Sequence, residues 1–258
     1  MAADLTSFGG PVTAAVMGAS GGIGGALARH LAARPQVARL MAFSRAGATP
    51  WDSGEHERGS MAGRLSAHRL DVTEEAAIAA AAREAEEWAP LHLVIVAIGV
   101  LHTNRFGPEK SWRSLDPAVM ETVFRVNTIG PSLVLKHFMP LLDRRRKSVF
   151  AVLSARMGSI EDNQLGGWYA YRASKAALNQ IIRTAGIELA RSNPGALCVG
   201  LHPGTVDTAL SKPFQGNIPE GKLFTPEFAA ERLVEVLDRL TPSNSGHVFA
   251  WDGTEIPA

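Results

Sequence analysis

Short apolar runs alternate with longer amphipathic stretches from one end of this chain to the other, and this alternation limits the folds open to it. Apolar runs of about four to eight residues are typical of β-strands, whereas the longer stretches have the period of an α-helix. The runs consist mainly of Val, Ile, Leu and Ala, as in parallel strands covered on both faces. We predict strands at Val12–Met17, Arg39–Phe43, Ala67–Leu70, Leu93–Ile98, Ser148–Leu153, Ala196–Leu201 and His247–Trp251.

Helical stretches separate these strands, and most of them stop shortly before a proline, which cannot continue a helix. We predict helices at Gly22–Ala33, Glu74–Trp88, Pro117–Leu142, Tyr169–Arg191 and Pro226–Leu240. This order predicts an α/β fold: one doubly wound, mainly parallel sheet of about seven strands, with right-handed crossovers and helices on both faces. Because no break in composition precedes the last strand, we expect residues 1–258 to form a single domain.

Two connections have an unusual composition. Residues 46–63 are rich in glycine, serine and charge, which is typical of a surface excursion. Residues 208–224 combine proline and glycine with scattered apolar side chains. We expect this second segment to be a lid loop over a substrate.

Charge and cysteine content exclude several classes of protein. Lys and Arg total 26 against 25 Asp and Glu, so the net charge is +1 and the chain lacks the positive charge excess that is typical of nucleic-acid-binding proteins. Cys198 is the only cysteine and the eight histidines lack ligand spacing, so we expect neither a disulfide nor a bound metal. The longest apolar run, Leu93–Leu101, is too short to cross a bilayer, and the opening residues lack a secretory signal. We therefore expect a cytoplasmic protein without a membrane partner.

A glycine-rich turn follows the first predicted strand and leads into the first helix. Its small residues allow the backbone to approach a pyrophosphate, whose charge the free amides of a helix start can bind. The spacing G-x-x-x-G-x-G differs from the strict dinucleotide pattern G-x-G-x-x-G, and a simple tight connection is the alternative interpretation. The candidate cofactor-binding residues of this turn are Gly18, Ser20, Gly22, Ile23 and Gly24.

The end of the second strand bears on the choice between NAD and NADP. An acidic residue about 20 positions after the turn would bind the ribose hydroxyls of NAD, but Ser44 and Arg45 stand there. A hydroxyl and a guanidinium suit a 2′-phosphate, so they favour NADP(H), with NAD(H) possible and a solvated loop as the other interpretation of Arg45. Asp71 and Val72 follow the third strand, where the carboxylate either meets the adenine amino group or caps the next helix.

Tyr171 and Lys175 are four residues apart in a predicted helix, which places the phenol and the ammonium on one face. A nearby cation favours the phenolate, so we expect the pKa of Tyr171 to fall from about 10 toward working pH. Tyr171 is then a candidate general acid and base. Tyr169 lies six residues from Lys175 and points elsewhere. Taken alone, such a pair is more often a coincidence of surface residues.

Further residues accompany this pair in a fixed order. Leu153-Ser154 ends the fifth strand, Val126-Asn127 precedes that strand, and Pro203-Gly204 follows the sixth. With the glycine turn and the tyrosine–lysine pair, they resemble the short-chain dehydrogenase/reductase family over nearly the whole chain. The resemblance implies a Rossmann-type domain that moves hydride between a nicotinamide cofactor and a ketone, aldehyde or alcohol. Residues 153–159 and 167–179 and the ending Trp251-Asp252-Gly253 are similar to the C-factor and sniffer carbonyl reductase branch.

The resemblance implies a role for each matching residue. Ser154 would orient and polarise the substrate carbonyl, Tyr171 would transfer the proton, and Lys175 would lower the pKa of Tyr171 and bind the nicotinamide ribose. Asn127 would hold a water that connects to the lysine. The remaining implied cofactor contacts are Gly99 after the fourth strand, Pro203 and Gly204 in the turn, Val206 at the nicotinamide carboxamide and Thr208 near the diphosphate.

Three departures from the family pattern lie on the cofactor side. Met17 replaces the usual threonine, Val96-Ala97-Ile98 replaces the usual Asn-Asn-Ala before Gly99, and Gly21 stands where members that prefer NADP often have a basic residue. The C-factor resemblance also leaves open a nucleotide-binding protein with a signalling or regulatory role. A sugar epimerase would need a longer chain with a separate substrate domain.

The predicted helices Pro117–Leu142 and Tyr169–Arg191 carry more apolar residues than one sheet-facing stripe requires. Members of the resembled family commonly pair these helices about a two-fold axis, which implies a homodimer or homotetramer. A thick core within one subunit is the alternative.

Overall fold

A computed structural model of the protein describes residues 4–47 and 63–258. The predicted surface excursion at 46–63 lies outside these residues except for its ends. Within the described ranges, none of the helices has the length and apolarity that a crossing of the bilayer requires.

The described strands form one large parallel sheet and one small parallel pair. The strands of the large sheet are β1 (Val12–Met17), β2 (Val37–Ser44), β3 (Leu65–Arg69), β4 (Leu93–Val96), β5 (Ser148–Leu153), β6 (Ala196–His202) and β9 (Val248–Ala250), while β7 (Thr205–Val206) pairs with β8 (Leu223–Phe224). The large sheet has the order β3-β2-β1-β4-β5-β6-β9, and every neighbouring pair in it is parallel. This confirms the predicted doubly wound sheet.

Helices cover both faces of the large sheet and bury two apolar layers. The helices are α1 (Gly22–Ala32), α2 (Glu75–Glu86), α3 (Pro117–Phe124), α4 (Gly130–Phe138), α5 (Tyr169–Ser192) and α6 (Pro226–Arg239). One layer joins α1 and α6 to the sheet, and the other joins α2, α4 and α5. The central strands β1 and β5 are buried at every position because both faces are covered.

The predicted helical stretch over Pro117–Leu142 is helical from Pro117 to Leu141, but it is not one regular α-helix. The segment consists of α3, a π-helical turn at Arg125–Ile129, α4 and a 3-10 turn at Met139–Leu141. Pro131 has no N–H to donate to the carbonyl four residues earlier, and the Gly130 amide bonds to the Arg125 carbonyl five residues back. The π turn displaces Asn127 from an ordinary helical position and turns it inward, where it is fully buried.

Candidate active site

A cleft of about 810 Å³ opens at the carboxyl ends of the parallel strands. The chain order of the sheet reverses between β1 and β4, and ligands of open α/β sheets bind at such a switch point. Of the predicted site residues, those that line the cleft are Gly22, Ile23, Gly24, Arg45, Gly99, Ser154, Tyr171, Lys175, Pro203, Gly204, Val206 and Thr208. The predicted residues outside its lining are Gly18, Ser20, Ser44, Asp71, Val72 and Asn127.

The glycine turn between β1 and α1 is closely packed. Gly18 has a φ of +86°, and a Cβ there would overlap the Ala97 carbonyl oxygen. A Cβ on Gly24 would overlap the Gly18 carbonyl, so both positions need glycine. Gly21 caps α1 without a side-chain acceptor, which leaves the first amides of the helix available to an anion in the cleft.

Arg45 lines the cleft and lies close enough to Asp71 for its charge to act on that carboxyl group. Asp71 accepts hydrogen bonds from the Thr73 amide at 2.9 Å and the Thr73 hydroxyl at 2.8 Å. These two bonds, and more weakly the charges of Arg45 and Arg69, hold the pKa of Asp71 below its usual range. Asp71 thus stabilises the turn before α2, while Ser44 and Val72 are buried beside it.

Lys175 lies in a buried contact between α5 and the end of β5. Its Nζ donates to the Leu153 carbonyl at 2.7 Å, and the residue is 2% exposed. Nζ lies 6.0 Å from the centroid of the Tyr171 ring. Gly99 lies beside both Lys175 and Asn127, since a Cβ on Gly99 would lie 3.7 Å from Lys175 Nζ and 3.5 Å from Asn127 Oδ1.

The predicted fall of the Tyr171 pKa is wrong for this structure. Burial raises the pKa of Tyr171 to about 12, and burial also lowers the pKa of Lys175 from 10.5 to about 8. The Lys175 ammonium donates to the Leu153 carbonyl, and the loss of solvent on burial is the cause of the raised pKa of Tyr171. In this state the pair favours a neutral phenol, which is the form that can donate a proton to a substrate.

Asn127 connects the loop after β4 to α5. Its Oδ1 accepts from the Val100 amide at 2.7 Å, and its Nδ2 donates to the Val100 carbonyl at 2.9 Å and to Ser174 Oγ at 3.1 Å. Ser174 in turn donates to the Tyr171 carbonyl at 2.8 Å. The amide therefore fixes the cleft wall at Gly99 and Val100 relative to the helix that carries Tyr171 and Lys175.

Aromatic side chains form one wall of the cleft beside Tyr171. The Trp168 ring centroid lies 5.0 Å from that of Phe214 and 6.3 Å from that of Tyr171. Trp168 has a left-handed φ of 55°, which is costly for an aromatic residue. Glu109 compensates by accepting the Trp168 amide on its carbonyl and the Ala170 amide on its buried carboxylate.

Two histidines also line the cleft, and of these the sequence indicates His202, which precedes Pro203-Gly204 and is a candidate for the pocket lining or for a structural role. His102 Nε2 contacts the carbonyls of Ala209 and Leu210 at 3.2 and 3.1 Å, so it holds the start of the 208–224 segment. Burial lowers the pKa of His202 to about 4, and its Nδ1 is buried without a partner among the described residues. His102 was missed, because the sequence gives no signal for it beyond its position near Gly99.

The family model for short chain dehydrogenases matches residues 12–218. The chain belongs to the short-chain dehydrogenase family. A relative of this short-chain dehydrogenase is 1-hydroxy-2-glutathionyl-2-methyl-3-butene dehydrogenase from Rhodococcus sp. (strain AD45), which is 36% identical over 72% of this chain and 76% of its own. The C-signal protein of Myxococcus xanthus is 36% identical over 60% of this chain and 89% of its own.

Solved structures show the same fold. The NADPH-bound carbonyl reductase from chicken fatty liver superposes with a TM-score of 0.80, at 26% identity and with 100% of this chain and 99% of its own covered. The carbonyl reductase Sniffer of D. melanogaster gives 0.78 at 20% identity over 96% of this chain and all of its own. These similarities confirm the resemblance to C-factor and sniffer-like short-chain dehydrogenases.

Proposed function

We propose that this short-chain dehydrogenase interconverts a ketone or aldehyde and an alcohol with NADP(H). The observation that carries the proposal is the meeting of Tyr171, Lys175 and Ser154 in the cleft that the glycine turn borders. An oxidoreductase needs a dinucleotide site and a proton donor within reach of one another, and this cleft offers both. The NADPH-bound carbonyl reductase of the same fold supports the choice of cofactor and reaction class.

The residues present fit a dinucleotide phosphate. The bare backbone of Gly18 and Gly24 keeps the turn close to the cleft, the first amides of α1 suit the diphosphate, and Arg45 suits a 2′-phosphate. Pro203, Gly204 and Val206 border the cleft and would hold the nicotinamide end, while Thr208, whose Cγ2 would lie 2.6 Å from a Cβ on Gly22, adjoins the glycine turn and would lie near the diphosphate. The bound cofactor supplies the hydride.

The chain's own residues supply orientation and the proton. The neutral Tyr171 hydroxyl donates a proton to the oxygen of a carbonyl substrate, or its phenolate accepts one from an alcohol. The buried Lys175 ammonium favours the phenolate form once it approaches the ring, and its partial loss of charge near pH 8 ties activity to pH. Ser154 binds the substrate oxygen. Asn127 fixes the position of the cleft wall at Gly99 and Val100 relative to α5 through its hydrogen bonds to Val100 and Ser174.

We propose further that residues 208–224 form the lid over the substrate. The segment contributes Thr208, Ala209, Leu210, Ser211, Phe214 and Ile218 to the cleft. The His102 contacts and the packing of Phe214 on Trp168 hold the segment against the cleft. Since these ring faces adjoin Tyr171, the lid favours a substrate with an apolar group next to its carbonyl.

The C-signal relative favours a second candidate, a signalling role for a cofactor-binding protein. The two candidates differ in turnover. The purified protein is tested with NADPH against a panel of aldehydes and ketones, and with NADP⁺ against secondary alcohols. We expect the absorbance of the reduced nicotinamide to fall in the first assay and to rise in the second. Cofactor binding without turnover on any panel member would contradict the enzyme and favour the signalling role.

Arg45→Asp is expected to weaken NADPH binding by about 10²-fold or more and NADH binding much less, because it replaces a phosphate partner with a repelling charge. The measurement is fluorescence titration of both cofactors into both proteins. Arg39→Asp is the control, since Arg39 is an exposed residue of β2 outside the cleft lining. An unaltered protein that binds NADH more tightly than NADPH would contradict the assignment of Arg45.

We also propose that the chain associates as a homodimer or homotetramer through α3 and α5. Ile129 at the end of the π turn between α3 and α4 is 45% exposed and Ile187 in α5 is 44% exposed, so each helical segment keeps an exposed apolar side chain after the core is formed. Light scattering at micromolar concentration is expected to give two or four times 27.5 kDa. A mass near 27.5 kDa across a dilution series would contradict this proposal. Ile187→Glu is expected to lower the mass without changing the fold.

A further inference from the structure

The Ser154 hydroxyl donates a hydrogen bond to a side chain that is not among the predicted catalytic residues. Ser154 Oγ donates to Asn179 Oδ1 at 2.6 Å, and Ser154 is 4% exposed. A serine hydroxyl has one proton, so a serine that donates to Asn179 offers only lone pairs to other groups. Ser154 can therefore polarise a carbonyl only when this proton turns away from Asn179.

Asn179 is held by the loop that follows Ser154. It lies one helical turn after Lys175 on α5, and Gly158 packs against both residues. A Cβ on Gly158 would lie 2.9 Å from Asn179 Nδ2 and 2.9 Å from Lys175 Cβ, which is closer than real Cβ contacts allow. Glycine at 158 thus allows the loop to pack directly against the side chains of Asn179 and Lys175. Asn179 is not among the residues that line the cleft, so it reaches a substrate only through Ser154.

We propose that Asn179 is a positioning residue that sets the donor state of Ser154. In the resting protein its amide oxygen holds the hydroxyl in one orientation, with the lone pairs of Oγ left for the cleft. When a carbonyl binds, rotation about Cβ–Oγ moves the same proton to the carbonyl oxygen. A neutral amide suits this exchange, because a carboxylate would hold the proton more strongly and an apolar side chain would leave the hydroxyl without a fixed direction.

The inference rests on the proposed carbonyl reduction, and a double-mutant cycle tests it. Asn179→Ala is expected to lower kcat for a ketone about tenfold, the loss expected for one orienting hydrogen bond. In a Ser154→Ala background the same change is expected to cost almost nothing, because the hydroxyl that Asn179 orients is gone. NADPH titration on all four proteins shows that each is folded and binds cofactor. Losses that multiply independently would overturn the proposal.

A second variant gives a readout that a purely structural role would not move. Asn179→Asp keeps the shape of the side chain, and its carboxylate is expected to withhold the Ser154 proton above its pKa. Relative to the unaltered protein, its kcat then rises as pH falls through that pKa. Gln180→Glu, which adds the same charge at the exposed neighbouring position, is expected to keep the ordinary pH profile.

The outcomes separate this inference from the function on which it rests. An Asn179→Asp protein with the pH profile of Gln180→Glu would overturn the role of Asn179 alone. An unaltered chain that binds NADPH and reduces no ketone or aldehyde would overturn the proposed function, and the role of Asn179 with it. We expect the losses caused by Asn179→Ala and Ser154→Ala to be non-additive, and we expect the kcat of Asn179→Asp to rise at low pH.

Discussion

Tyr171→Phe is expected to lower turnover about 10²-fold or more, because the change removes the hydroxyl that exchanges a proton with the substrate oxygen. The phenyl ring retains the edge contact with Trp168, whose centroid lies 6.3 Å away, so the aromatic wall stays intact. Cofactor affinity is therefore expected to persist. Single-turnover measurement of NADPH oxidation with a saturating ketone separates the chemical step from binding.

Tyr169→Phe is the matched control for this prediction. Tyr169 begins the same helix and carries the same side chain, but it does not line the cleft. We expect the turnover of Tyr169→Phe to stay within about twofold of that of the unaltered protein. A Tyr169 variant that loses more activity than the Tyr171 variant would show that the proton donor has been assigned to the wrong tyrosine.

Lys175→Met is expected to abolish most activity and at the same time to stabilise the fold. Burial lowers the pKa of Lys175 from 10.5 to about 8, so at pH 7 the folded protein holds a charge that the interior disfavours. A displacement of this size corresponds to about 3 kcal/mol of unfolding free energy. The substitution also removes the hydrogen bond to the Leu153 carbonyl, which lowers the expected gain in unfolding free energy by about 1 kcal/mol. Turnover is expected to fall about 10²-fold or more, because the cation beside Tyr171 is gone.

The pH dependence of this gain has a defined sign. The unfolded chain keeps the Lys175 proton up to about 10.5, whereas the folded chain releases it near 8. Raising the pH between these values therefore favours the folded state of the unaltered protein, and the advantage of Lys175→Met shrinks over the same window. Urea unfolding at pH 7 and above pH 10 measures both effects. Lys136→Met, at a lysine whose side chain is 62% exposed, is the control. A Lys175→Met protein that is less stable than the unaltered chain at pH 7 would contradict the prediction.

The sheet could be predicted from the sequence because its strands are buried on both faces. Strands such as Val12–Met17 and Ser148–Leu153 have the bounds that their apolar runs predict, since nothing strongly polar interrupts them. Helix starts were predictable where a proline or a short polar cap stands, as at Pro117 and Pro226. The residues expected at the carboxyl ends of the strands mostly share one cleft, because parallel strands bring those ends to one edge.

The differences arise where a tertiary contact overrides a local pattern. The helix before β5 changes to a π turn at Asn127, and no periodicity in the sequence marks that change. The pKa of Tyr171 is raised by its burial, whereas the spacing of four residues between Tyr171 and Lys175 indicates only a shared helix face. Asn179 lies one further turn along that face, so helical spacing from Lys175 was the available signal for it.

The order of the sheet gives the two sides of the cleft different resistance to local opening. β4 and β5 have hydrogen-bonded neighbours on both edges, so deuterium uptake by their amides requires opening of the whole sheet. The 3-10 turn Lys212–Asn217, which carries Phe214, has only local backbone bonds and half-exposed or exposed side chains where these are described, and its amides exchange through small openings. We therefore expect substitutions around Phe214 to change the shape of the cleft at a smaller cost in stability than substitutions in β4 or β5.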